Sequence, residues 1–200
     1  MAAGKYCRKQ EDANTWGKSV ILYLRDLIYM LIGILLAFLL FFRVIVVSGD
    51  SMYSTLLDGD YLLLVSNLFY QEPEYGDIVV ISKDSFDNGT PIVKRVIATE
   101  GQLVDIDFEN GIVYVDGSVL DEPYINSPTT MNEGSTFPLT VSENCIFVLG
   151  DNRGVSRDSR DPVIGQVDKR EVLGKAIFLA IPGTSHGMLP RDADRIGVIK

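Results

Sequence analysis

The apolar residues of the chain fall into two patterns, of which the first is one long run without charge. It reads LIYMLIGILLAFLLFF and covers Leu27–Phe42. As a helix this run is roughly 24 Å long, and extension across Arg43 to Val47 gives roughly 31 Å, close to the hydrocarbon thickness of a bilayer. A soluble core helix would keep a polar stripe, and a cleaved signal peptide would end in small residues. The run has neither feature, so it predicts one transmembrane helix at residues 27–43.

The second pattern consists of short segments in which apolar residues alternate with polar ones or stand together between Gly, Asp, Asn and Pro. Such segments are typical of strands. The hairpin signals Asn110-Gly111 and Asp116-Gly117 flank one of them and predict a meander from Leu103 to Leu120. The predicted strands are Tyr61–Val65, Asp77–Ile81, Ile92–Ile97, Leu103–Phe108, Ile112–Val115, Cys145–Leu149 and Leu173–Ile181.

We therefore expect a mainly β fold: a single N-terminal transmembrane helix followed by a β-sheet ectodomain that contains an inserted β subdomain. The helix at 27–43 follows a cytoplasmic segment at 1–26. The ectodomain core is predicted at 44–100 and 143–182, the inserted subdomain at 101–142, and a C-terminal tail at 183–200.

Charge gives the helix a direction. The chain has 27 acidic and 18 basic residues, a net charge of −9, and this balance argues against nucleic-acid binding. The charge divides into +2 for residues 1–26, Arg43 at the boundary, and −12 for residues 44–200. Because positive segments stay inside, we expect the N-terminus in the cytoplasm and the acidic ectodomain outside a cell membrane.

The chain has few histidines and cysteines from which a catalytic triad or a zinc site could be built. The chain has one histidine, His186, and two cysteines, Cys7 and Cys145. A Ser-His-Asp triad would depend on that one histidine, and a His/Cys zinc site would have three scattered ligands. The predicted topology places the cysteines on opposite sides of the membrane, so no disulfide is expected.

Lys94 stands out because it lies inside an apolar strand. Alternation puts its side chain on the same face as Ile92 and Val96. Loss of hydration there would lower the pKa of the amine, and a neutral amine near physiological pH can act as a general base. The alternative is a lysine that extends to solvent from an edge strand, and the residues of this strand alone leave both possibilities open.

Three segments resemble the type I signal peptidases of bacteria, the membrane-bound serine proteases with a Ser-Lys dyad. The box S-M-x-P-T-L is represented by Ser51–Leu56, the box K-R-V-I by Lys94–Ile97, and G-D-N-R-x-x-S-x-D-S-R by Gly150–Arg160. Ser54 replaces the usual proline of the first box, so we expect a less preorganised turn. Gly49 stands two residues before the nucleophile, as in many Gram-positive members, and leaves a second oxyanion donor open.

The resemblance implies roles for particular residues. Ser51 would be the nucleophile and Lys94 its general base. Ser156 matches the family serine that hydrogen-bonds and orients the lysine, and Asp158 and Arg160 match a supporting ion pair. No metal and no cofactor is expected.

It also implies a substrate. Members of the family cleave exported pre-proteins after small residues in the pattern Ala-X-Ala, so the expected partners are signal peptides, membrane lipid and the secretion translocon. Apolar residues beside the boxes are expected to form the walls of shallow substrate pockets: Val47, Met52, Leu56, Ile92 and Val93.

Three alternative functions compete with this one. Self-cleaving Ser-Lys repressors of the DNA-damage response carry a helix-turn-helix domain, which residues 1–26 cannot form. A membrane-tethered β module that binds exported proteins without cutting them would not need Ser51, Lys94 and Ser156. Signal peptidases of the ER or spore type carry a histidine in place of the dyad lysine.

Overall fold

The computed structural model describes residues 3–184 and 192–199, with side chains from residue 16 onwards, and it divides into two units at Phe41/Phe42. The first unit is one helix, α1, over Ala3–Phe41. Its segment Trp16–Phe41 has 26 residues with a mean hydropathy of 2.2, and none of that apolar surface is buried. In the part of the chain that the structure describes, this is the one helix long and apolar enough to cross a membrane.

The end of α1 corrects the predicted helix bounds. The helix ends at Phe41 rather than at residue 43, and Phe42–Val46 forms strand β1 instead of prolonging the helix toward Val47. Consecutive β-branched residues favour a strand, and β1 pairs along its whole length with the next strand. The apolar helix gains its length on the other side: 26 residues span about 39 Å, enough for a bilayer without residues after Phe41.

The second unit contains two antiparallel sheets. Among the described residues, eight strands form the larger sheet in the order β1-β2-β11-β3-β4-β9-β10, with β12 paired to β11. The bounds of its strands are β1 Phe42–Val46, β2 Tyr61–Ser66, β3 Ile78–Ile81, β4 Ile92–Thr99, β9 Cys145–Leu149, β10 Val167–Asp168, β11 Val172–Ile181 and β12 Gly197–Val198. Short 3-10 turns cover Asp87–Gly89, Lys169–Glu171 and Ala193–Arg195.

The smaller sheet lies within the predicted insertion. Its order is β7-β6-β5-β8, and its strands are β5 Leu103–Asp107, β6 Ile112–Val115, β7 Ser118–Val119 and β8 Leu139–Thr140. Between β6 and β7, Asp116 and Gly117 both have positive φ, as the predicted two-residue turn requires.

The connection from β5 to β6 differs from the prediction. Asp107 pairs with Ile112, so the loop has four residues rather than the two of a tight Asn-Gly turn. The Asp107 carboxylate accepts hydrogen bonds from the backbone N–H groups of Glu109 and Asn110 and from the Asn110 amide. The Asp107 side chain thus provides hydrogen-bond acceptors for the backbone N–H groups of the longer loop.

All seven predicted strands are present, with ends that differ by two residues or fewer. The fold is mainly β with an apolar N-terminal helix, as predicted. The buried residues form three apolar clusters, one of which packs beneath the loop between β1 and β2 and includes Val47, Met52 and Leu56. That loop carries Ser51.

Candidate active site

Ser51 lies in the loop between β1 and β2, which backbone hydrogen bonds close at its base. The Val47 N–H donates to the Asp60 carbonyl over 2.8 Å, and the Gly59 N–H donates to the Val47 carbonyl over 2.9 Å. Gly49 has a φ of +84°, where a side chain would be strained, and its N–H donates to the Asp58 carboxylate over 2.8 Å. The loop therefore has a defined path on the N-terminal side of the serine.

Lys94 lies on β4, an interior strand between β3 and β9. It pairs with the buried Val79, and its neighbours on the same face, Ile92 and Val96, pack in one apolar cluster with Val79. The lysine is only 3 % exposed. The alternative of a lysine extending to solvent from an edge strand is therefore wrong.

Burial lowers the pKa of Lys94 from 10.5 to about 8, because the ammonium form loses its hydration. The negative charges of Asp158, Glu133 and Asp151 act in the opposite direction and raise this pKa, but they do not cancel the effect of burial. A substantial fraction of the amine is then neutral near physiological pH.

The two residues meet. The Lys94 Nζ donates a hydrogen bond to the Ser51 Oγ over 2.9 Å and another to the Val93 carbonyl over 3.0 Å. Residues 43 positions apart in the sequence are thus within proton-transfer distance. The second bond fixes the amine against its own strand.

The segment that follows β9 holds the serine loop from the other side. The Asn152 N–H donates to the Ser51 carbonyl over 3.0 Å, and the Asn152 side-chain amide donates to the Asp50 carbonyl over 3.0 Å. The Thr55 hydroxyl donates to the Asp151 carboxylate over 2.5 Å. These three bonds lie on both sides of Ser51 and limit the motion of its backbone.

Gly150 permits the close approach of these two segments. A Cβ at this position would overlap the Ser156 side chain and would lie 2.5 Å from the Ser51 carbonyl oxygen. Since heavy atoms do not come that close without bonding, the contact requires glycine.

Ser156 differs from the expectation. In residues 3–184 and 192–199, Lys94 Nζ makes no hydrogen bond to the Ser156 hydroxyl, whose partner is instead the Arg157 carbonyl at 3.5 Å. Ser156 is buried and packs on Gly150, directly beside the backbone of Ser51. The Ser156 hydroxyl therefore bonds within its own loop, and the hydrogen bonds of the Lys94 amine are those to Ser51 and to the Val93 carbonyl.

Asp158 and Arg160 form the expected ion pair. The Arg160 Nε and Nη2 donate to the two carboxylate oxygens over 2.8 and 2.9 Å, and both side chains are completely buried. The same carboxylate accepts from the Gly150 N–H over 3.0 Å, and Arg160 donates to the Ser156 carbonyl over 3.1 Å. The pair therefore closes the loop between Gly150 and Arg160, and its carboxylate raises the pKa of Lys94.

A second buried ion pair was missed by the sequence analysis. Arg95 donates to both carboxylate oxygens of Asp151 over 2.8 and 2.7 Å, and its guanidinium lies 4.0 Å from the centre of the Tyr124 ring. Alternation along the strand places Arg95 on the face opposite to Lys94, between the apolar residues Val93 and Ile97. A buried guanidinium needs a carboxylate partner, and that requirement was the available signal.

The residues expected to line substrate pockets are not all together. Val47, Met52, Leu56 and Val93 share one cluster and are between 1 % and 7 % exposed. Ile92 is partly exposed and packs against a different cluster, with Val79 and Val96. Four of the five thus belong to one buried apolar cluster that includes Met52, the residue after Ser51, and their contact with a substrate stays a prediction.

His186 lies outside the described residues, as do the other residues of the predicted tail between 185 and 191 and the side chain of Cys7. Cys145 is a free cysteine at the start of β9, and burial raises the pKa of its thiol.

The fold and this site define a class of protein: a hydrolase of the serine endopeptidase type, with a β catalytic unit that follows an apolar N-terminal helix. A family model described as "Signal peptidase, peptidase S26" matches residues 20–181. The chain therefore belongs to the signal peptidase family, and its function is signal peptide processing.

Curated relatives agree with this assignment. "Probable signal peptidase I-1" of Synechocystis sp. is 35 % identical over 170 residues, which cover 80 % of this chain and 83 % of the relative. "Signal peptidase I S" of Bacillus subtilis is 32 % identical over 186 residues, 87 % of this chain and 92 % of the relative. A crystal structure of a signal peptidase I from Enterococcus faecalis is 32 % identical and covers 52 % of this chain and 96 % of its own, with a TM-score of 0.42.

Proposed function

We propose that the protein is a membrane-anchored serine endopeptidase that removes signal peptides from exported pre-proteins after Ala-X-Ala, with Ser51 as nucleophile and Lys94 as general base. One observation carries the proposal: the 2.9 Å hydrogen bond between a buried lysine amine and the hydroxyl of a serine. Burial supplies the reason for the neutral base, since it lowers the pKa of Lys94 to about 8.

In the proposed reaction, neutral Lys94 accepts the Ser51 proton as the hydroxyl oxygen attacks the scissile carbonyl carbon. The Ser51 N–H, which makes no hydrogen bond among the described residues, is available to the oxyanion. The ammonium of Lys94 then gives its proton to the leaving amine, and the C–N bond breaks. Water, activated by the same amine, hydrolyses the acyl-enzyme and restores Ser51.

Asp158, Arg160 and Ser156 support this chemistry without transferring a proton. The buried Asp158–Arg160 pair keeps the Gly150 loop closed, and Ser156 packs against that loop where it meets the serine backbone. Their shared effect is to hold Ser51 at hydrogen-bonding distance from Lys94.

The apolar helix is proposed to span a cell membrane once, with the N-terminus in the cytoplasm and the catalytic unit outside. Its length and hydropathy support an anchor, and the charge asymmetry supports this orientation. Nine residues lie between the end of α1 at Phe41 and Ser51, so only a short stretch of chain joins the proposed anchor to the proposed nucleophile. The signal peptide, emerging from the translocon in contact with lipid, would bind extended beside Val47, Met52, Leu56, Ile92 and Val93.

The test is cleavage of one pre-protein by the purified full chain in detergent, with N-terminal sequencing of the product. Ser51→Ala and Lys94→Ala are expected to abolish cleavage while leaving the unfolding transition in place. Ser85→Ala and Lys169→Ala are the matched controls, since both side chains bond elsewhere on the catalytic unit, and they should keep full activity.

Full cleavage by either dyad variant would contradict the assignment. A wild-type chain that binds the pre-protein without cutting it would favour the non-catalytic β module instead. For specificity, replacing the Ala before the cleavage site by Phe should block the reaction, and unchanged cleavage of that substrate would refute the Ala-X-Ala preference.

A further inference from the structure

Asp60 is a fully buried carboxylate at the base of the loop that carries Ser51. One of its oxygens accepts the Gly183 N–H over 2.6 Å and the Arg195 Nη1 over 2.9 Å. The other accepts the Leu57 N–H over 2.8 Å and the Arg195 Nη2 over 2.7 Å. A fully buried carboxylate needs both a counter-charge and hydrogen-bond donors to its two oxygens, and Arg195 is the counter-charge.

The backbone of Asp60 also takes part in closing the loop. The Asp60 backbone carbonyl accepts from Val47, and its N–H donates to Leu57. Asp60 therefore joins the two ends of the segment between β1 and β2. Interactions that fix the Asp60 side chain therefore also fix the base of the loop that carries Ser51.

Arg195 contacts the loop at a second point. Its Nη2 also donates to the Thr55 carbonyl over 3.3 Å, and the Thr55 hydroxyl donates to Asp151. One guanidinium thus bridges the base of the loop and the turn four residues after Ser51. The guanidinium has enough N–H donors to make these contacts at once, and its planar shape matches the two carboxylate oxygens of Asp60.

The segment that carries Arg195 is fixed to the sheet. Asp192 caps its 3-10 turn, because the Asp192 carboxylate accepts the Asp194 N–H. Next, β12 pairs with β11, and the Ile199 N–H donates to the Ile177 carbonyl over 3.1 Å. Ile199 packs against the cluster that contains Met52 and Leu56. This segment lies beyond residues 20–181, the part of the chain that the family model matches.

We propose that Arg195 is a positioning residue for the peptidase reaction: from the C-terminal segment 192–199 it clamps the loop that presents Ser51 to Lys94. The proposal rests on the proposed function for its kinetic consequence. Loss of the guanidinium leaves the Asp60 carboxylate buried with two backbone donors and frees the Thr55 carbonyl. The loop then loosens, and Ser51 spends less time within reach of the amine.

The experiment compares the full chain in detergent with Arg195→Ala, Arg195→Lys and the control Arg170→Ala. Arg170 also pairs with a carboxylate through two hydrogen bonds, to Asp168, but it is 89 % exposed and lies beside the opposite edge strand, β10. Steady-state cleavage is measured below the unfolding transition of each variant. Hydrogen–deuterium exchange of residues 52–60 is measured on the same samples.

For Arg195→Ala we expect kcat to fall about 10- to 100-fold with KM within about threefold, because a small misplacement of a nucleophile costs rate rather than binding. Exchange across 52–60 should become faster. Arg195→Lys, which keeps the charge but not the planar group, should recover part of kcat, and Arg170→Ala should match the wild type in both measurements.

Unchanged exchange in Arg195→Ala, or faster exchange with an unchanged kcat, would overturn the proposal, and so would an equal loss in Arg170→Ala. If the wild-type chain cleaves no substrate, the proposed function fails, while the exchange measurement still decides whether Arg195 holds the loop.

Discussion

The pH dependence of cleavage tests the environment of Lys94 directly. In water a lysine amine with a pKa of 10.5 is neutral in about 0.03 % of molecules at pH 7. Burial lowers the pKa of Lys94 to about 8, which raises the neutral fraction to about 9 %. The protein environment thus increases the supply of free base at pH 7 by a factor of roughly 300.

The expected profile follows from those fractions. The value of kcat/KM should rise about ninefold between pH 6 and pH 7, about fivefold between pH 7 and pH 8, and level off above pH 9. The assay is cleavage of a peptide substrate without titratable side chains, followed from pH 6 to pH 9.5. A profile without an ascending limb, or a limb centred near 10.5, would refute the reasoning that burial produces the base.

A charge variant sharpens the test. Glu133 lies 3.3 Å from Arg160 and its negative charge raises the pKa of Lys94, so Glu133→Gln should move the ascending limb to lower pH. Glu109→Gln, at an exposed position in the loop between β5 and β6, should leave the midpoint where it is. Equal midpoints of the ascending limb in the wild type, Glu133→Gln and Glu109→Gln would show that the charge of Glu133 does not affect the pKa of Lys94.

Two further predictions concern stability and packing. Lys94→Met should abolish cleavage yet stabilise the fold at pH 7 by up to about 3 kcal/mol, measured by urea unfolding. Between pH 8 and 10.5 the unfolded wild-type chain binds more protons than the native one, so the wild type gains stability as the pH rises through this window. The stability advantage of the variant should therefore shrink over the same range. An advantage that grows with pH would contradict this sign. Gly150→Ala should lower kcat/KM at least about tenfold, because a Cβ there would overlap a side chain and press on the Ser51 carbonyl. Gly154→Ala is its control, since the nearest atom to a Cβ at that position is 3.6 Å away, and equal activity of the two variants would show that the loop moves freely.

Local pattern was enough for the strands, and the resemblance to the type I signal peptidases singled out the proposed reacting pair. Period-two alternation is a property of neighbouring residues, so it located the seven predicted strands and put Lys94 on an apolar face beside Ile92 and Val96. The boxes around Ser51 and Lys94 pointed to the two residues that the structure brings within 2.9 Å. The end of the helix was misplaced because an apolar run is compatible with either helix or strand until a partner strand is known.

Contacts between distant segments were decided only by the tertiary structure. The charge of Lys94 depends on its burial in the interior strand β4, and strand order cannot be derived from the alternation of one strand. The same holds for Ser156, whose hydroxyl bonds to Arg157 rather than to Lys94, and for Asp60 and Arg195, which meet across 135 residues. The sequence by itself determined which residues are available for the chemistry; their protonation, their partners and the clamp on the nucleophile loop arise only when the folded chain buries charges and must pair them.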